Sequence, residues 1–451
     1  MKKKFEKLKS SKRFRNIIKI SSGTLGGQVV KAISIPIFTR IYGAEILGTW
    51  AFLFSISSLV NSFSDLGMKQ AIMLGNQSDV YDEKVYRVVS STTMVIAIAS
   101  AALVSFFYAV VNPSGIGLNI PFLLFYLVFS IFTKQQMQIC YTWINKKANY
   151  NVLMKNPLIN SLTFSILGIV LGFSGFVNYG YFIAWIAGQF ITLLHMKRFL
   201  PKGFFTYNLN DYKEVWCKNI LFIKYQLPSN ILVRFKDQIP VFFIRSFFGT
   251  AMLGYFSITV QILTIPTSLL GSAIGRTFFK EAADLNKEGK SLGEYTYKNM
   301  KAMMRIAIIP MALLIATGDR VVILFLGVEW ALAGTMLVIN SFRTYFRLLL
   351  MSVKGITALL QKQNILMIMN LSRIILATIS FLVASFLFND ILVALILFAA
   401  SEIIINVMFF CKLFNIMGIS RKKYLKNVLT NYLIILLGAL IIRIVLSILT
   451  V

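Results

Sequence analysis

The chain has 451 residues, of which 57% are hydrophobic and 14% are charged, whereas a soluble domain contains about 25% charged residues. This composition excludes an ordinary soluble protein and predicts a polytopic membrane protein, because each membrane-crossing helix needs roughly 20 apolar residues. The formal net charge of +29 would favour a nucleic-acid partner in a soluble protein. Here we attribute it to membrane topology and an anionic cargo, and we expect no nucleic-acid partner.

Apolar runs between polar or Gly/Pro punctuation predict an all-α fold of thirteen helices. Six lie at 17–41, 46–67, 87–111, 118–140, 151–173 and 178–199, six at 218–245, 249–275, 302–325, 330–356, 364–388 and 391–413, and one at 427–450. A short amphipathic surface helix is predicted between the eighth and ninth. The segments are then a basic tail (1–15), an N-terminal bundle (16–200), a linker (201–217), a C-terminal bundle (218–414), a basic loop (415–426) and a last helix (427–451).

Lys and Arg concentrate in the N-terminal tail and in alternate connections, which predicts a cytoplasmic N-terminus. The opposite connections, such as "NPSGIGLN" and "GFSGFVNYG", carry almost no Lys or Arg, and Arg320 is the one clear exception. The three cysteines, Cys140, Cys217 and Cys411, fall near helix ends that this topology places in the cytoplasm. They form no CxxC pair, so we predict neither a disulfide nor a metal site.

Two segments resemble each other at an offset of 206 residues. "IPIFTRIYGAEILGTW" (35–50) resembles "IPVFFIRSFFGTAMLGYF" (239–256), with Gly43 aligned to Gly249 and Leu47 aligned to Leu253. Both segments join the first two helices of a six-helix set. The repeat predicts two six-helix bundles related by a pseudo-two-fold axis along the membrane normal. Chance similarity of apolar segments is the alternative.

Cationic residues recur at helical spacing inside apolar runs, and such residues are costly in lipid. The tenth predicted helix carries Asn340, Arg343, Arg347 and Lys354 on one stripe, and the fourth carries Tyr126, Ser130, Lys134, Gln138 and Tyr141. We predict that these stripes face a water-filled cavity that attracts anions. The predicted cargo-binding residues are Lys31, Lys134, Arg234, Arg343, Arg347, Lys354 and Arg373. Alternatives are an ion pair of Arg234 with Asp237 and snorkelling of cations near helix ends.

Three embedded acids, Asp65, Asp237 and Glu402, oppose these cations. Each is a candidate for binding a coupling proton or sodium ion, since a buried carboxylate titrates in a useful range. Structural hydrogen bonding is the alternative. We predict no catalytic residue, no metal ligand and no cofactor beyond that ion.

The segment "SSGTLGGQVVKAISIPIFTRIYGAEILGTWAFLFSISSLVNSFSDLGMKQAI" (21–72) carries a family resemblance. Its Gly-rich first helix, the pattern TR-x-YG-x-x-x-LG at 39–48 and "LGMKQAI" at 66–72 resemble the polysaccharide-exporter branch of the multidrug/oligosaccharidyl-lipid/polysaccharide superfamily, in particular the Wzx-type O-antigen flippases. The resemblance implies a flippase that moves undecaprenyl-diphosphate-linked oligosaccharide, an O-antigen or capsule repeat unit, to the outer leaflet of the bacterial inner membrane by alternating access. It also implies a polysaccharide polymerase and a chain-length regulator as partners. Twelve helices are common in that family, so a thirteenth departs from it.

Three other functions were weighed against this one. A lipid II flippase has a cargo with the same diphosphate carrier. A drug exporter of the same superfamily would need embedded acids for cationic drugs, whereas cations dominate here. A membrane polymerase or ligase would need a set of catalytic residues, and no such set is visible.

Overall fold

The computed structural model describes residues 12–73, 79–111, 117–206, 208–289, 291–353 and 355–449. Its regular elements within these ranges are helical. Two short 3-10 helices, Met68–Met73 and Val328–Trp330, and two π-helical turns, Phe222–Gln226 and Ala384–Phe388, accompany fourteen α-helices. The α-helices are α1 Lys12–Val60, α2 Asp79–Val111, α3 Ile120–Lys146, α4 Tyr150–Phe173, α5 Val177–Lys197, α6 Leu209–Lys218, α7 Leu227–Phe248, α8 Thr250–Lys287, α9 Leu292–Leu326, α10 Ala331–Val353, α11 Ile356–Leu359, α12 Gln363–Val383, α13 Ile391–Ile416 and α14 Arg421–Leu449.

The prediction of a polytopic membrane protein is confirmed. Within the ranges that the structure describes, nine helices are long and apolar enough to cross a membrane, and α1 is counted once among them. The helices α7 and α10 are not in that set, and both carry the charges that the sequence places inside apolar runs. The predicted last helix is present as α14.

A break at Gly43 divides α1 into two helices. Gly43 has φ 65° and ψ 177°, a non-helical backbone conformation inside an otherwise continuous helix. Only glycine adopts this conformation at low cost, because a Cβ atom would meet the backbone. The predicted first and second helices therefore exist, and they meet at the glycine of the repeat.

The second predicted helix ends earlier than expected. The sequence predicted it to continue to residue 67, but α1 ends at Val60 and residues 61–67 form turns. The segment "NSFSDLG" is rich in the side chains that bond to nearby backbone in turns, and Leu66 and Gly67 have positive φ. Asp65 consequently lies in a turn and not on a helix.

Glycines near the start of α1 allow it to approach α4 closely. A Cβ atom on Gly27 would lie 2.7 Å from the carbonyl oxygen of Pro157, and one on Gly26 would lie 2.7 Å from a methyl carbon of Leu158. Such distances are shorter than van der Waals contact. The Gly-rich start of the first helix therefore serves close helix packing.

The predicted linker 201–217 contains a helix. Helix α6 begins after Asn208, whose side chain accepts a hydrogen bond from the Asn210 amide and caps the helix. The carboxylate of Glu214 in α6 accepts hydrogen bonds from the ammonium groups of Lys84 at 2.7 Å and Lys218 at 2.9 Å. These hydrogen bonds lower the pKa of Glu214 to about 2. The ion pairs attach α6 to α2, so this part of the linker is ordered.

The connection between α8 and α9 differs from its prediction. The sequence predicted a short surface helix there, whereas α8 continues to Lys287 and α9 begins at Leu292. Phe278, Ala282 and Tyr297 of these extensions are buried in a hydrophobic core. Because that core covers their apolar side chains, the two helices continue past the predicted boundaries.

The chain forms two compact units, one extending to Gln238 and the other beginning at Ile239. We refer to them as unit 1 and unit 2. The division lies inside α7, so Arg234 belongs to unit 1. In unit 1 a core cluster contains Tyr86 and Trp143, and in unit 2 another contains Met300 and Phe410. Each unit therefore has apolar packing of its own.

Candidate functional site

A cavity of about 430 Å³ lies within unit 1. Two of the residues that line it are cationic, Lys134 of α3 and Lys69 of the 3-10 helix Met68–Met73. No Asp or Glu is among the described residues that line it. The described lining therefore carries positive charge and no carboxylate of its own, which favours an anion.

Both lysines are held in place by neutral partners. The ammonium group of Lys134 donates to Ser58 Oγ at 2.6 Å and lies 3.7 Å from the centre of the Phe54 ring. The ammonium group of Lys69 donates to Gln138 Oε1 at 2.6 Å. An ammonium group has three protons to donate, so each lysine keeps donor capacity for a ligand.

The turn after α1 brings an acid close to one of these lysines. Asp65 is buried, and its Oδ1 accepts a hydrogen bond from the Gly67 amide at 3.1 Å. Asp65 also interacts electrostatically with Lys69. The charge of Lys69 is thus partly balanced, while that of Lys134 is not.

The predicted stripe of α3 is partly at the cavity. Lys134, Gln138 and Tyr141 line it, as the helical spacing predicts. Tyr126 and Ser130 are fully buried, and Ser130 donates to Ser57 at 3.2 Å. At one end the side chains of the stripe therefore line the cavity, and at the other end they pack between helices.

Two further predicted cations of unit 1 lie near this cavity. Arg234 of α7 is exposed and interacts electrostatically with both Lys69 and Lys134. The ammonium group of Lys31 lies 5.3 Å from the centre of the Trp185 ring, and Trp185 lines the cavity. Three cations predicted from the sequence, Lys31, Lys134 and Arg234, therefore lie in one region of unit 1.

The cationic stripe of the tenth predicted helix lies on α10 in unit 2. Arg343 donates through Nε to Asn340 Oδ1 at 2.7 Å, and its guanidinium lies 4.6 Å from the centre of the Phe398 ring. Arg347, one turn later, is exposed. Lys354 lies outside the residues that the structure describes. The spacing of Asn340, Arg343 and Arg347 therefore produces a shared helix face, as predicted.

Arg373 and Glu402 occupy a different setting from the one predicted. Arg373 is 6% exposed, its Nη2 donates to Asn406 at 2.7 Å, and its Nε lies 3.4 Å from Glu402 Oε1. The sequence assigned Arg373 to cargo binding and Glu402 to a coupling ion. In the structure they neutralise each other between α12 and α13, because their helices pack together.

Asp237 also has a cationic neighbour. Its Oδ1 lies 2.7 Å from the ammonium group of Lys236. An ion pair of Asp237 with Arg234 was the alternative drawn from the sequence, and the structure adds the neighbouring Lys236, whose long side chain reaches the carboxylate. An ion pair is weaker evidence for a coupling-ion site than an isolated acid would be.

Several lining residues were not predicted from the sequence. They include Phe54, Lys69, Asn160, Trp185 and Gln189. Lys69 stands in "LGMKQAI", which carried the family resemblance but no role. The i, i+4 spacing of Trp185 and Gln189 in an apolar helix was a usable signal, since both side chains must lie on one face.

Comparison with known proteins decides the family. Residues 37–334 match the family described as polysaccharide biosynthesis protein. The chain belongs to this family. The resemblance found in the sequence is confirmed, and the match covers the lysine-lined cavity of unit 1.

One curated relative and several solved structures are similar to this polysaccharide biosynthesis protein. The teichuronic acid biosynthesis protein TuaB of Bacillus subtilis (strain 168) is 25% identical over 201 residues, which are 43% of this chain and 40% of that protein. The chain therefore spans well under two thirds of the length of that relative.

Solved structures show the fold. The lipid II flippase MurJ in an inward closed conformation matches with TM-score 0.73 and 14% identity, over 95% of this chain and 98% of that one. An inward-facing multidrug resistance MATE family transporter of the MOP superfamily matches with TM-score 0.58 and 12% identity, over 88% and 95%. The MATE transporter VcmN of Vibrio cholerae matches with TM-score 0.54 and 12% identity, over 88% and 94%. The predicted fold class is confirmed.

Proposed function

We propose that this chain is a flippase for a lipid-diphosphate-linked oligosaccharide, the undecaprenyl-diphosphate-linked repeat unit of a surface polysaccharide. The observation that carries the proposal is the cavity of unit 1, whose charged lining residues are both lysines. A diphosphate carries several acceptor oxygens and negative charges, which ammonium and guanidinium groups bind in charge-assisted hydrogen bonds. Membership of a polysaccharide biosynthesis family supports a glycan as the other part of the cargo.

The charges of unit 2 support the same cargo. Arg343 and Arg347 lie on one face of α10, and arginine binds phosphate oxygens through two parallel hydrogen bonds. Both units therefore carry cationic side chains, which fits a cargo that remains anionic throughout transport. We infer that both sets contact the diphosphate at some stage of alternating access.

Orientation and energy source are part of the proposal. We place the chain in the bacterial inner membrane with a cytoplasmic N-terminus, because Lys and Arg favour that side. Asp65 is the preferred site for a coupling proton or sodium ion, since it is buried beside Lys69, and its neutralisation would increase the positive charge of the cavity. Partner proteins would be the polymerase and the chain-length regulator that use the delivered glycan.

A lipid II flippase is the second candidate, and the likeness to MurJ in fold favours it over a drug exporter. The two cargoes share the lipid diphosphate and differ in the glycan. The deciding experiment is deletion of the gene for this protein in its host, followed by analysis of lipid-linked glycans in the inner membrane. Accumulation of the polysaccharide repeat unit with normal peptidoglycan is the expected result, whereas accumulation of lipid II would support the second candidate.

A further inference from the structure

The wall of the cavity in unit 1 contains polar atoms that the described structure does not satisfy. Gln189 lines the cavity, is 3% exposed, and its Nε2 has no hydrogen-bond partner among the described residues. Trp185, one turn earlier on α5, likewise lines the cavity with a buried, unpartnered Nε1. Burying an unsatisfied polar group is unfavourable, so two of them at one cavity wall are hydrogen-bonding groups that a ligand in the cavity would stabilise.

Neither orientation of the Gln189 amide gives both of its polar atoms a hydrogen-bond partner. Thr133 Oγ1 lies 3.1 Å from Gln189 Oε1, but its single proton is donated to the Phe129 carbonyl at 2.6 Å. Turning the amide over would let Nε2 donate to Thr133, and Oε1 would then lack a partner. In either orientation one polar atom of Gln189 is left for a ligand.

An unpartnered amide alone does not mark a site. Gln135 of α3 is 1% exposed with both amide atoms unpartnered, yet it is not part of the cavity wall. What distinguishes Gln189 is its position on the cavity beside the ring of Trp185 and near the further amide of Asn160. Two amides and one indole N–H therefore share one space.

These groups add amide oxygens and an aromatic ring, which a sugar can use and a phosphate cannot. Phosphate oxygens only accept hydrogen bonds, so they suit the ammonium groups of Lys69 and Lys134. Amides present one acceptor and two donors, and sugar hydroxyls, which donate and accept, can satisfy both. The aromatic ring adds an apolar surface for the C–H face of a sugar ring.

We propose that the cavity has two subsites, a lysine subsite (Lys69 and Lys134) for the diphosphate and an amide subsite (Asn160, Trp185 and Gln189) for the first sugar attached to it. This inference rests on the proposed function, and it adds that the amide subsite is where selectivity for the glycan arises. The cavity of about 430 Å³ lies within the range of roughly 300–1,000 Å³ typical of small-molecule sites. It has room for a diphosphate and one adjoining sugar, whereas the rest of the oligosaccharide must extend beyond it.

Binding of two probes to the full-length protein in detergent tests the two subsites separately. The probes are undecaprenyl diphosphate and undecaprenyl diphosphate carrying one N-acetylhexosamine. Lys134→Gln is expected to weaken both probes by a similar factor. Gln189→Leu is expected to weaken only the sugar-bearing probe, by about tenfold, the equivalent of one or two hydrogen bonds. Gln135→Leu is the matched control and should bind both probes as the wild type does.

The outcomes separate the inference from the proposed function. Equal affinity of the wild type for both probes, with no selective loss in Gln189→Leu, would overturn the amide subsite and leave the flippase proposal standing. Failure of the wild type to bind either probe would overturn both. If Gln189→Leu does not fold, Gln189→Met and Asn160→Leu, which roughly keep size and remove the amide without adding charge, should show the same selective loss.

Discussion

Gly43 and Gly249 are 206 residues apart, and each has a positive φ, 65° and 91°, between the first two helices of a six-helix set. The residues that follow them by four positions, Leu47 and Leu253, are both fully buried. The repeat inferred from sequence therefore corresponds to a glycine with positive φ and the same burial four residues later at two places. Chance similarity of apolar segments would not produce both.

Replacing either glycine should have a similar cost. Apart from the adjoining backbone, a Cβ atom on Gly43 or Gly249 would meet nothing within 4 Å, so the cost of Gly43→Ala or Gly249→Ala is that of holding a positive φ, about 1–3 kcal/mol. Thermal unfolding in detergent should show a comparable loss in both variants. Gly438→Ala is the control, because a Cβ there meets only Ala312 at ordinary contact distance, 3.7 Å. Tolerance at one glycine and collapse at the other would contradict the local equivalence.

Cys217 is the informative thiol for topology. It is exposed, whereas Cys140 is buried and Cys411 is intermediate. An impermeant thiol reagent should label Cys217 in broken cells and not in intact cells, because the adjacent connections carry the Lys and Arg excess of the cytoplasmic side. A Cys217→Ser variant controls for labelling elsewhere. Strong labelling of Cys217 in intact cells would reverse the predicted orientation.

Arg373 and Glu402 should behave as a structural pair. Because Arg373 is 6% exposed, Glu402→Leu leaves a buried unpaired charge and should lower stability by about 3 kcal/mol. The double variant Arg373→Met with Glu402→Leu should recover much of this loss and retain transport. A stable double variant without transport would show instead that these residues act on the cargo or on a coupling ion.

Charge at α10 should matter for transport more than hydrogen bonding does. Arg347→Gln is expected to reduce delivery of the lipid-linked glycan to the outer leaflet, and Arg347→Lys is expected to restore part of it, since lysine keeps the charge but lacks the bidentate fork. Arg343 should follow the same order with a smaller contrast, because Asn340 and Phe398 already engage it.

A control cation must lie outside the stripe. Lys236 is unsuitable, because its ammonium group lies 2.7 Å from Asp237, one of the three candidate coupling-ion acids, and its loss would also change the surroundings of that acid. Arg443 of α14 is half-exposed and pairs with Asp319 at 2.7 Å, so Arg443→Gln should leave delivery near normal. Normal delivery with glutamine at both Arg343 and Arg347 would mean that the α10 stripe is structural.

Most helices were predictable from the sequence because apolar runs of membrane length are a strong signal. Boundaries were less predictable where tertiary packing decides them. Residues 61–67 form turns that end α1, but their few polar side chains did not interrupt the apolar run from which the helix was predicted. Helices α8 and α9 continue past their predicted ends because Phe278 and Tyr297 are buried in a core. Helix α6 was missed because its buried residue Val215 packs into a core cluster whose other members come from distant parts of the chain.

The candidate site was predictable where one helix carries the pattern. Spacing alone placed Lys134, Gln138 and Tyr141 on one wall. It could not show that Arg373 meets Glu402, since the two lie on different helices and their contact depends on how those helices pack. Lys69 and Trp185 were missed for the same reason, because a cavity assembled from five segments has no signature in any one of them.

The central claim is that the positive charge of the cavity in unit 1 binds a lipid diphosphate. The most direct measurement is translocation of a fluorescent undecaprenyl-diphosphate-linked sugar across vesicles containing the purified protein, for wild type, Lys134→Gln and Lys134→Arg. We predict a loss of about tenfold or more in Lys134→Gln, consistent with removal of one charge-assisted contact, and substantial activity in Lys134→Arg. Wild-type translocation that Lys134→Gln leaves unchanged, in vesicles with equal amounts of folded protein, would contradict the account.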